Sequence, residues 1–395
     1  MTEWKIYKVG EIIDEIAMGP FGSNIKVDNF IDFGVPVLNG ANLQGFKLKE
    51  DSFNYVSLQK ANSLGKANAY RGDIVITHRG TLGQIVYIPN DSKFGRYIIS
   101  QSQFRVKLNS QYILPEYFVY YFHTRLGQYK LLMNASQVGV PALARPTSTF
   151  KELTIELPPL EEQRRIARIL GAIDDKIENN RRINTNLELQ AQALFEEWFV
   201  NDRTQPAEYD RAVLTDITNY LNGLAMQRFR PQRDEKGIPV LKIKELGQKQ
   251  CDSSSDMCSP SIDPKYIVND GDIIFSWSGT LLVDIWCGGI CGLNQHLFKV
   301  TSDKYPNWFV YYWTKYHLAK FIRIAKDKAV TMGHIKRGDL ETSEVLIPRA
   351  ETLSKMDNTI APIFDAIISR RIENRTLATL RDTLLPKLMN GEIKL

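Results

Sequence analysis

Apolar residues recur in alternating steps of four and three along one stretch near the middle of the chain. The positions on this seam are Ile166, Leu170, Ile173, Ile177, Asn180, Asn184, Leu187, Ala191, Leu194 and Trp198. A mean spacing of about 3.5 residues is typical of a coiled-coil helix, whereas a strand would alternate with period two. Pro158–Pro159 and the acidic pair Glu161–Glu162 mark its entry. The pattern predicts one helix from Pro158 to about Trp198 that needs a partner helix.

A second seam lies 190 residues further along the same chain. After an opening Pro348, its positions are Met356, Ile360, Ile363, Ile367, Arg370, Asn374, Leu377, Arg381, Leu384 and Leu388. Asn184 and Asn374 occupy the same seam position in the two copies. A polar residue at one such site lowers stability and fixes register, so we interpret both asparagines as helix-register residues. The alternative is two amphipathic helices that pack on separate cores.

The repeat extends beyond the helices. Three pairs of segments match in the same order: Gly34–Leu38 with Gly237–Leu241, Gly72–Val75 with Gly271–Ile274, and Tyr117–Tyr121 with Trp308–Tyr312. The offset between copies shrinks steadily towards the helices, as small insertions in surface loops would make it. The chain therefore divides into four predicted segments: globular unit 1–156, central helix 157–203, globular unit 204–346 and C-terminal helix 347–395.

Within each unit, the β-branched runs Ile74–Thr77 and Ile273–Ser276 predict strands of a small mixed sheet. The aromatic runs around Tyr117 and Phe309 have helical spacing and favour core helices over a base-stacking role. If the second unit has its ends close together, the second helix begins where the first stops. We therefore expect an α+β fold with two similar α/β units separated by two long antiparallel coiled-coil helices and an internal pseudo-twofold duplication.

Composition sets limits on the class of protein. The chain has 395 residues, 43% of them hydrophobic and 24% charged, as in globular proteins with ordinary cores. It contains no run of eighteen apolar residues and its first ten residues lack an apolar signal segment, so we expect a cytoplasmic protein. A net charge of +5 permits nucleic-acid binding without requiring it. The four cysteines have no CxxC spacing, which favours free, partly buried thiols over a zinc site.

A search for catalytic motifs finds none. The chain has no GxxxxGK[ST] phosphate loop, no HExxH and no methyltransferase Asn-Pro-Pro-Tyr or Asp-Pro-Pro-Tyr motif, and its five histidines are scattered. We expect no catalytic residues and no metal site. A protein-binding coiled-coil scaffold remains one rival function, and an enzyme fused to a recognition domain is a second, weaker one.

Two recognition units held apart by a helical rod suit DNA with two separated half-sites. Polar and basic side chains on glycine-rich or irregular loops are the candidate DNA contacts, because such loops can enter a groove and read base edges. In the first unit they are Ser23, Asn24, Lys26, His78, Arg79, Ser136, Gln137 and Arg145. In the second unit they are Gln227, Arg228, Arg230, Gln232, Arg233, Trp277, Ser278, Lys326, Lys328, Thr331, His334, Lys336 and Arg337. The alternative for each cluster is a solvated basic loop.

Three stretches resemble a known family, the specificity subunits of Type I restriction-modification enzymes. They are Leu157–Gln163, Gly19–Ser23 followed by Gly34–Val37, and Leu384–Met389 with Gly391–Glu392. Together with the duplicated layout, the resemblance covers essentially the whole chain. The second helix departs from the pattern, because Pro348–Leu353 lacks the proline-proline-leucine-glutamate-glutamate-glutamine sequence of Pro158–Gln163.

The resemblance implies that each unit is a target recognition domain reading one half of a bipartite, asymmetric DNA site. The helices would set the spacer between the half-sites and dock two methyltransferase (M) subunits, and restriction/translocase (R) subunits would join the complex. S-adenosylmethionine, ATP and Mg would bind those partner subunits, so this chain would hold no cofactor and do no chemistry. The departure at Pro348–Leu353 implies a weaker or differently made second methyltransferase contact.

Overall fold

The computed structural model describes residues 4–136, 139–201, 209–327 and 333–395. The chain forms two compact units: unit 1 comprises Met1–Asp175 with Thr379–Leu395, and unit 2 comprises Lys176–Ala378. Each unit thus contains part of both long helices together with one globular region. No helix in the described ranges combines the length and apolar character that a membrane crossing requires.

Unit 1 contains many short strands and four helices before the first long helix. Its strands are β1 (Lys5–Lys8), β2 (Ile13–Met18), β3 (Phe30–Ile31), β4 (Val35–Val37), β5 (Asn54–Val56), β6 (Asn68–Tyr70), β7 (Ile74–Thr77), β8 (Ile85–Tyr87), β9 (Arg96–Ile98), β10 (Gln103–Leu108), β11 (Ala135–Ser136), β12 (Ala142–Leu143) and β13 (Thr154–Leu157). The helices are α1 (Leu58–Ser63), α2 (Pro115–His123), α3 (Arg125–Leu132), α4 (Pro146–Glu152) and the long α5 (Leu160–Glu196), which continues into unit 2.

The central sheet of unit 1 has the order β2-β10-β7-β8 and is antiparallel throughout. The prediction that Ile74–Thr77 forms a strand is confirmed, but the expected mixed sheet is wrong for this strand. The parallel pair, β4 with β9, lies instead in a second sheet of order β3-β5-β4-β9-β6. Sequence periodicity does not reveal strand direction, because side chains alternate identically in both arrangements.

The run Ile74–Thr77 is apolar without alternation because both faces of its sheet are covered. Ile74 and Ile76 pack in the same core as α2, whose residues Tyr117–Phe122 are buried as predicted. Val75 points to the other face, into the core shared with the second sheet. The central sheet is therefore sandwiched between a helical layer and a second sheet, and its strands read as continuous hydrophobic runs.

Unit 2 repeats this layout. Its strands are β14 (Asp210–Val213), β15 (Asn219–Asn222), β16 (Ile238–Leu241), β17 (Met257–Cys258), β18 (Ile267–Val268), β19 (Ile273–Ser276), β20 (Leu282–Ile285), β21 (Cys291–Leu293), β22 (Leu297–Thr301) and β23 (Glu344–Ile347). Its helices are α6 (Leu214–Ile217), α7 (Ile243–Gln248), α8 (Asn307–Asp327), α9 (Arg337–Glu341) and the long α10 (Ala350–Met389).

The sheets confirm the duplication at the level of topology. The central sheet of unit 2 has the order β15-β22-β19-β20, which matches β2-β10-β7-β8 strand for strand and is again antiparallel. A second sheet, β17-β16-β21-β18, contains one parallel pair, as in unit 1. The aromatic run at Phe309 is buried in α8, so the prediction of core helices holds in both copies.

The two long helices run antiparallel within unit 2 and are locked by a reciprocal pair of hydrogen bonds. Asn184 Nδ2 donates to the Ile367 carbonyl at 3.2 Å, and Asn374 Nδ2 donates to the Ile177 carbonyl at 3.3 Å. Because Ile367 and Asn374 are the repeat equivalents of Ile177 and Asn184, the two bonds are equivalent. Asn180 Nδ2 also donates to Asn374 Oδ1 at 2.9 Å. Such bonds would fix the register of α5 against α10. That these asparagines determine the register stays a prediction.

The apolar end of α5 packs inward in unit 2. Phe195 is 2% exposed and lies between Tyr312 and Trp313, while Phe199 is 6% exposed and contacts Phe309. Both phenylalanines therefore belong to the core of unit 2. The four cysteines are free thiols, three of them buried and Cys251 half-buried.

Candidate nucleic-acid interface

The loops that carry the predicted DNA contacts of unit 1 meet at one end of its central sheet. β2 ends there at Met18 and β7 ends there at Thr77, while β10 begins there at Gln103. Register pairs Thr77 with Gln103 and Met18 with Phe104. Because neighbouring strands run in opposite directions, the loops after β2 and β7 lie beside the loop that enters β10.

A close backbone approach fixes the turn after β2. The Gly19 N–H donates to the Gln103 carbonyl at 2.8 Å, and a Cβ on Gly19 would lie 1.9 Å from the Ser100 carbonyl oxygen. Only glycine fits at this position. The turn leads into Asn24 and Lys26, both exposed, whereas the side chain of Ser23 lies outside the described part of the structure.

The loop after β7 presents His78 and Arg79. The His78 N–H donates to the Ser102 carbonyl at 2.9 Å, and the imidazole Nε2 lies 3.1 Å from the Gln101 carbonyl oxygen. Burial lowers the pKa of His78, so the ring is neutral near pH 7. Arg79 is exposed, and among the described residues its guanidinium contacts no carboxylate. An unpaired cation on a rigid loop is suited to a phosphate or to the edge of a guanine.

These loops enclose a groove of about 800 Å³, which we call groove 1. Its lining includes three predicted residues, Asn24, His78 and Arg79. It also includes four polar residues that sequence reasoning missed: Lys60, Ser63, Lys66 and Gln101. Lys60 belongs to α1 and Lys66 to the turn that follows, so both reach the groove from a segment with no glycine-rich signal of its own.

Ser136 and Arg145 lie on or next to the paired short strands β11 and β12, which are close to the loop after β7. Ser136 of β11 pairs with Ala142 of β12, and Arg79 forms a β-bridge with Ala142. Arg145 is exposed just after the hairpin, with a left-handed backbone at φ 45°. Gln137 lies outside the described residues. Ser136, Arg145 and Lys26 do not line groove 1, although the bridge holds the hairpin beside it.

Unit 2 builds the same sheet end from different side chains. β15 ends at Asn222, β19 at Ser276, and β22 begins at Leu297. The Gly223 N–H donates to the Leu297 carbonyl at 3.0 Å, and a Cβ on Gly223 would lie 2.2 Å from the Asn294 carbonyl oxygen. This repeats the approach made by Gly19, so the same glycine requirement shapes both copies.

A second groove, of about 690 Å³, opens at this end and is called groove 2. Two predicted residues line it, Gln227 and Arg230. Five polar residues that the sequence reasoning did not single out join them: Lys242, Lys244, Asn294, Gln295 and His296. Groove 2 also contains one carboxylate, Asp256, which forms an ion pair with Lys242.

Trp277 and Ser278 support the loop after β19 from within. Trp277 Nε1 donates to Asn222 Oδ1 at 3.0 Å, and its half-buried ring lies 5.7 Å from that of Phe298. Ser278 is 3% exposed, and its hydroxyl lies 3.0 Å from His296 Nδ1. Ser278 is therefore too buried to contact a base, and its hydroxyl positions His296, which lines groove 2.

The other candidates of unit 2 surround this end or lie apart from it. His334 is exposed and forms a β-bridge with Ser278, which places it beside the loop. Arg228, Gln232, Arg233, Lys326, Lys336 and Arg337 are exposed and line neither groove. Lys328 and Thr331 lie outside the described residues. In the described ranges, no cluster of three His, Cys, Asp or Glu side chains is arranged to hold a metal ion.

Sequence comparison relates both halves of the chain to one family. A family profile described as Type I restriction modification DNA specificity domain matches residues 1–189 and 206–381. The chain is 26% identical to the Type I restriction enzyme MjaIX specificity subunit of Methanocaldococcus jannaschii, and the alignment covers 99% of this chain and 94% of that protein. It is 22% identical to the HindI specificity subunit of Haemophilus influenzae, with 100% of both chains covered.

Structure comparison gives the same relation at the level of fold. The crystal structure of a Type I restriction-modification system S subunit from M. genitalium matches with a TM-score of 0.63 over 98% of this chain and 96% of that one. Sequence identity in that match is 15%, so the likeness shows the fold alone.

Proposed function

Because the chain belongs to the Type I restriction modification DNA specificity family, we propose that each unit reads one half of a bipartite, asymmetric DNA site through its groove. The observation that carries the proposal is the repeated sheet end. In both units the loop after the edge strand (β2 or β15) and the loop that enters the next strand (β10 or β22) border a groove whose lining carries at least three Lys or Arg side chains. Cations bind the phosphates, and the amide groups among them are suited to reading base edges.

The two half-sites differ because the grooves differ in chemistry. Groove 1 presents Asn24 after its glycine turn and Arg79 in the loop after β7, whereas groove 2 presents Gln227 and Arg230, both in the segment after β15. Different donor and acceptor patterns select different base pairs in the major groove. The site is therefore asymmetric even though the frames of the two units match.

The long helices set the spacer and dock two methyltransferase (M) subunits. Their continuity through both units supports this role, since α5 spans Leu160–Glu196 and α10 spans Ala350–Met389 without a break. Restriction/translocase (R) subunits complete the assembly, and S-adenosylmethionine, ATP and Mg are bound by the partners. The chain itself is non-catalytic. For domain exchange with a relative, we propose the segments 1–156, 157–203, 204–346 and 347–395.

The test is methylome sequencing of cells that express the neighbouring methyltransferase with or without this chain. A split methylated motif should appear only when the chain is present. Removal of one matched heptad from both α5 and α10 should then change the spacer and leave both half-site sequences intact. An unchanged methylome with folded methyltransferase present would contradict the recognition role and favour a protein-binding scaffold.

A further inference from the structure

The loops that enter β10 and β22 place one glutamine at the same point in both units. Gly19 bonds the first residue of β10, and Gly223 bonds the first residue of β22. Counting back two residues from each strand start gives Gln101 in unit 1 and Gln295 in unit 2. Both side chains line their grooves.

The neighbours of this glutamine differ between the copies. Each pair that follows gives the unit 1 residue first: Ser100 and Asn294, Ser102 and His296, His78 and Trp277. The backbone contacts that position the loop are nevertheless the same, since the His78 N–H donates to Ser102 and the Trp277 N–H donates to His296. The frame and the glutamine are shared, while the side chains around them are not.

The carboxamide groups are available to a ligand. Among the described residues, the Gln101 side chain makes no hydrogen bond, and it lies across Gly22, where a Cβ would meet its Oε1 at 2.2 Å. Gln295 Nε2 has one long contact, 3.4 Å from His296 Nε2, and its Oε1 accepts no bond from a described residue. A glutamine amide offers one donor and one acceptor side by side, which matches the N6 and N7 edge of adenine in the major groove.

We propose that Gln101 and Gln295 each read an adenine, so that the two otherwise different half-sites share one A·T pair at equivalent positions. This inference rests on the proposed reading of DNA by the grooves. Both units receive the same base contact because a glutamine stands at the same backbone position in each. The remaining bases of each half-site are left to the side chains that differ.

The experiment selects bound duplexes from a randomised DNA pool with the full chain, purified in the assembly that it forms in its host. Gln101→Ala should lose roughly tenfold or more of the preference for A·T at a single position of one half-site. Gln295→Ala should do the same at the corresponding position of the other half-site. Gln101→Glu should shift that position towards cytosine, because a carboxylate accepts a bond from cytosine N4.

Exposed glutamines outside the grooves serve as matched controls. Gln111→Ala in unit 1 and Gln250→Ala in unit 2 should leave both half-sites unchanged, and thermal unfolding should show that all variants are folded. Selection of a split motif by the parent chain, with unaltered preference in Gln101→Ala and Gln295→Ala, would overturn the shared-adenine proposal alone. A uniform loss at all positions, or a loss at a base other than adenine, would also overturn it. No motif selected by the parent chain would contradict the proposed function as well.

Discussion

Groove 1 and groove 2 have the same frame but carry their charge differently. Lys60, Lys66 and Arg79 line groove 1 without any carboxylate beside them in the lining. In groove 2, Lys242 and Lys244 form ion pairs with Asp256 and Asp252. The glycine approach, the strand order and the shared glutamine were kept, whereas the charged side chains were changed. The comparison indicates that the backbone geometry of the sheet end is the same in both units, whereas the side chains on its loops differ.

The two units also differ in how their globular regions hold the long helices. In unit 2, Arg371 of α10 bonds Asp284 of β20 at 2.7 Å and Glu188 of α5 at 2.8 Å. In unit 1, Arg381 bonds Asp174 at 2.8 Å, and the Tyr120 hydroxyl donates to the same carboxylate at 2.5 Å. Both units thus use an arginine of α10 paired with a carboxylate of α5, but the globular region of unit 2 bonds the arginine through Asp284, whereas that of unit 1 bonds the carboxylate through Tyr120.

The largest effect should come from Arg371→Ala. The Arg371 and Asp284 side chains are only 13% and 11% exposed, and the substitution leaves the buried Asp284 carboxylate with Lys249, 3.3 Å away, as its remaining cationic partner. We expect a loss of about 3 kcal/mol of unfolding free energy, the lower end for a broken buried ion pair. Burial alone raises the pKa of Asp284, and the charges of Arg371 and Lys249 bring it below its ordinary value. Urea unfolding measures the loss. Arg181→Ala, which breaks an exposed pair with Glu178, should cost under about 1 kcal/mol. Equal costs would contradict the role given to Arg371.

Gly19→Ala and Gly223→Ala should each destabilise the protein by about 1–3 kcal/mol, because the new methyl group overlaps a backbone carbonyl that cannot rotate away. Each should also weaken selection of its own half-site only. Gly95→Ala is the control, since nothing lies within 4 Å of its added Cβ. Unfolding curves and DNA selection are measured for both variants. Full half-site preference in Gly19→Ala would contradict the role of the glycine turn in positioning the groove.

Acidification below pH 6.5 should reduce stability in both units. Burial lowers the pKa of His123 and of His317 below 6.5. The unfolded chain therefore binds more protons in this range, and stability falls as pH drops towards the folded pKa values. For each histidine, the loss approaches about 1.4 kcal/mol per pH unit at most. His123→Gln and His317→Gln should each flatten the slope of unfolding free energy against pH. A slope identical to that of the parent would rule out these histidines as the cause.

The smallest effect should be on the salt dependence of DNA affinity. It compares Arg79, which has no carboxylate partner among the described residues, with Lys244, which has one. Arg79→Ala should reduce the slope of log affinity against log salt by about 1 if Arg79 binds a phosphate. Lys244→Ala should reduce the slope less, since Lys244 is already engaged by Asp252 and by Ser254 Oγ at 2.6 Å. Binding titrations at several salt concentrations compare the two variants. A larger change for Lys244→Ala would show that the ion pairs of groove 2 open on DNA.

The fold was predictable where periodicity is long or duplicated. The heptad seam of Ile166 to Trp198 gave the helix and its partner, and the apolar run of Ile74–Thr77 gave a central strand. Strand direction and the second sheet were not predictable, because pairing joins segments as distant as β4 and β9 and leaves no mark on local spacing. Sequence repetition indicated duplication, and the matching strand orders confirm it.

The candidate site was only partly predictable, because each groove gathers loops that are far apart in the chain. The glycine beside His78 and Arg79 indicated a loop, and both residues line groove 1. Lys60 also lines the groove but belongs to the short helix α1, which has no such signal. A signal for the missed glutamines did exist. Gln101 and Gln295 lie three residues before Phe104 and Phe298, at an offset that fits the steadily shrinking repeat. Burial of Ser278 was beyond sequence reasoning, since its contact with His296 depends on tertiary structure.

An exchange of residues 1–156 for the equivalent unit of a relative, with both long helices kept, tests the central claim most directly. Methylome sequencing of cells expressing the chimera with its methyltransferase gives the readout. The account predicts that one half-site changes to that of the donor, while the other half-site and the spacer stay as they were. A change in both half-sites, or in neither, would contradict independent reading by the two grooves.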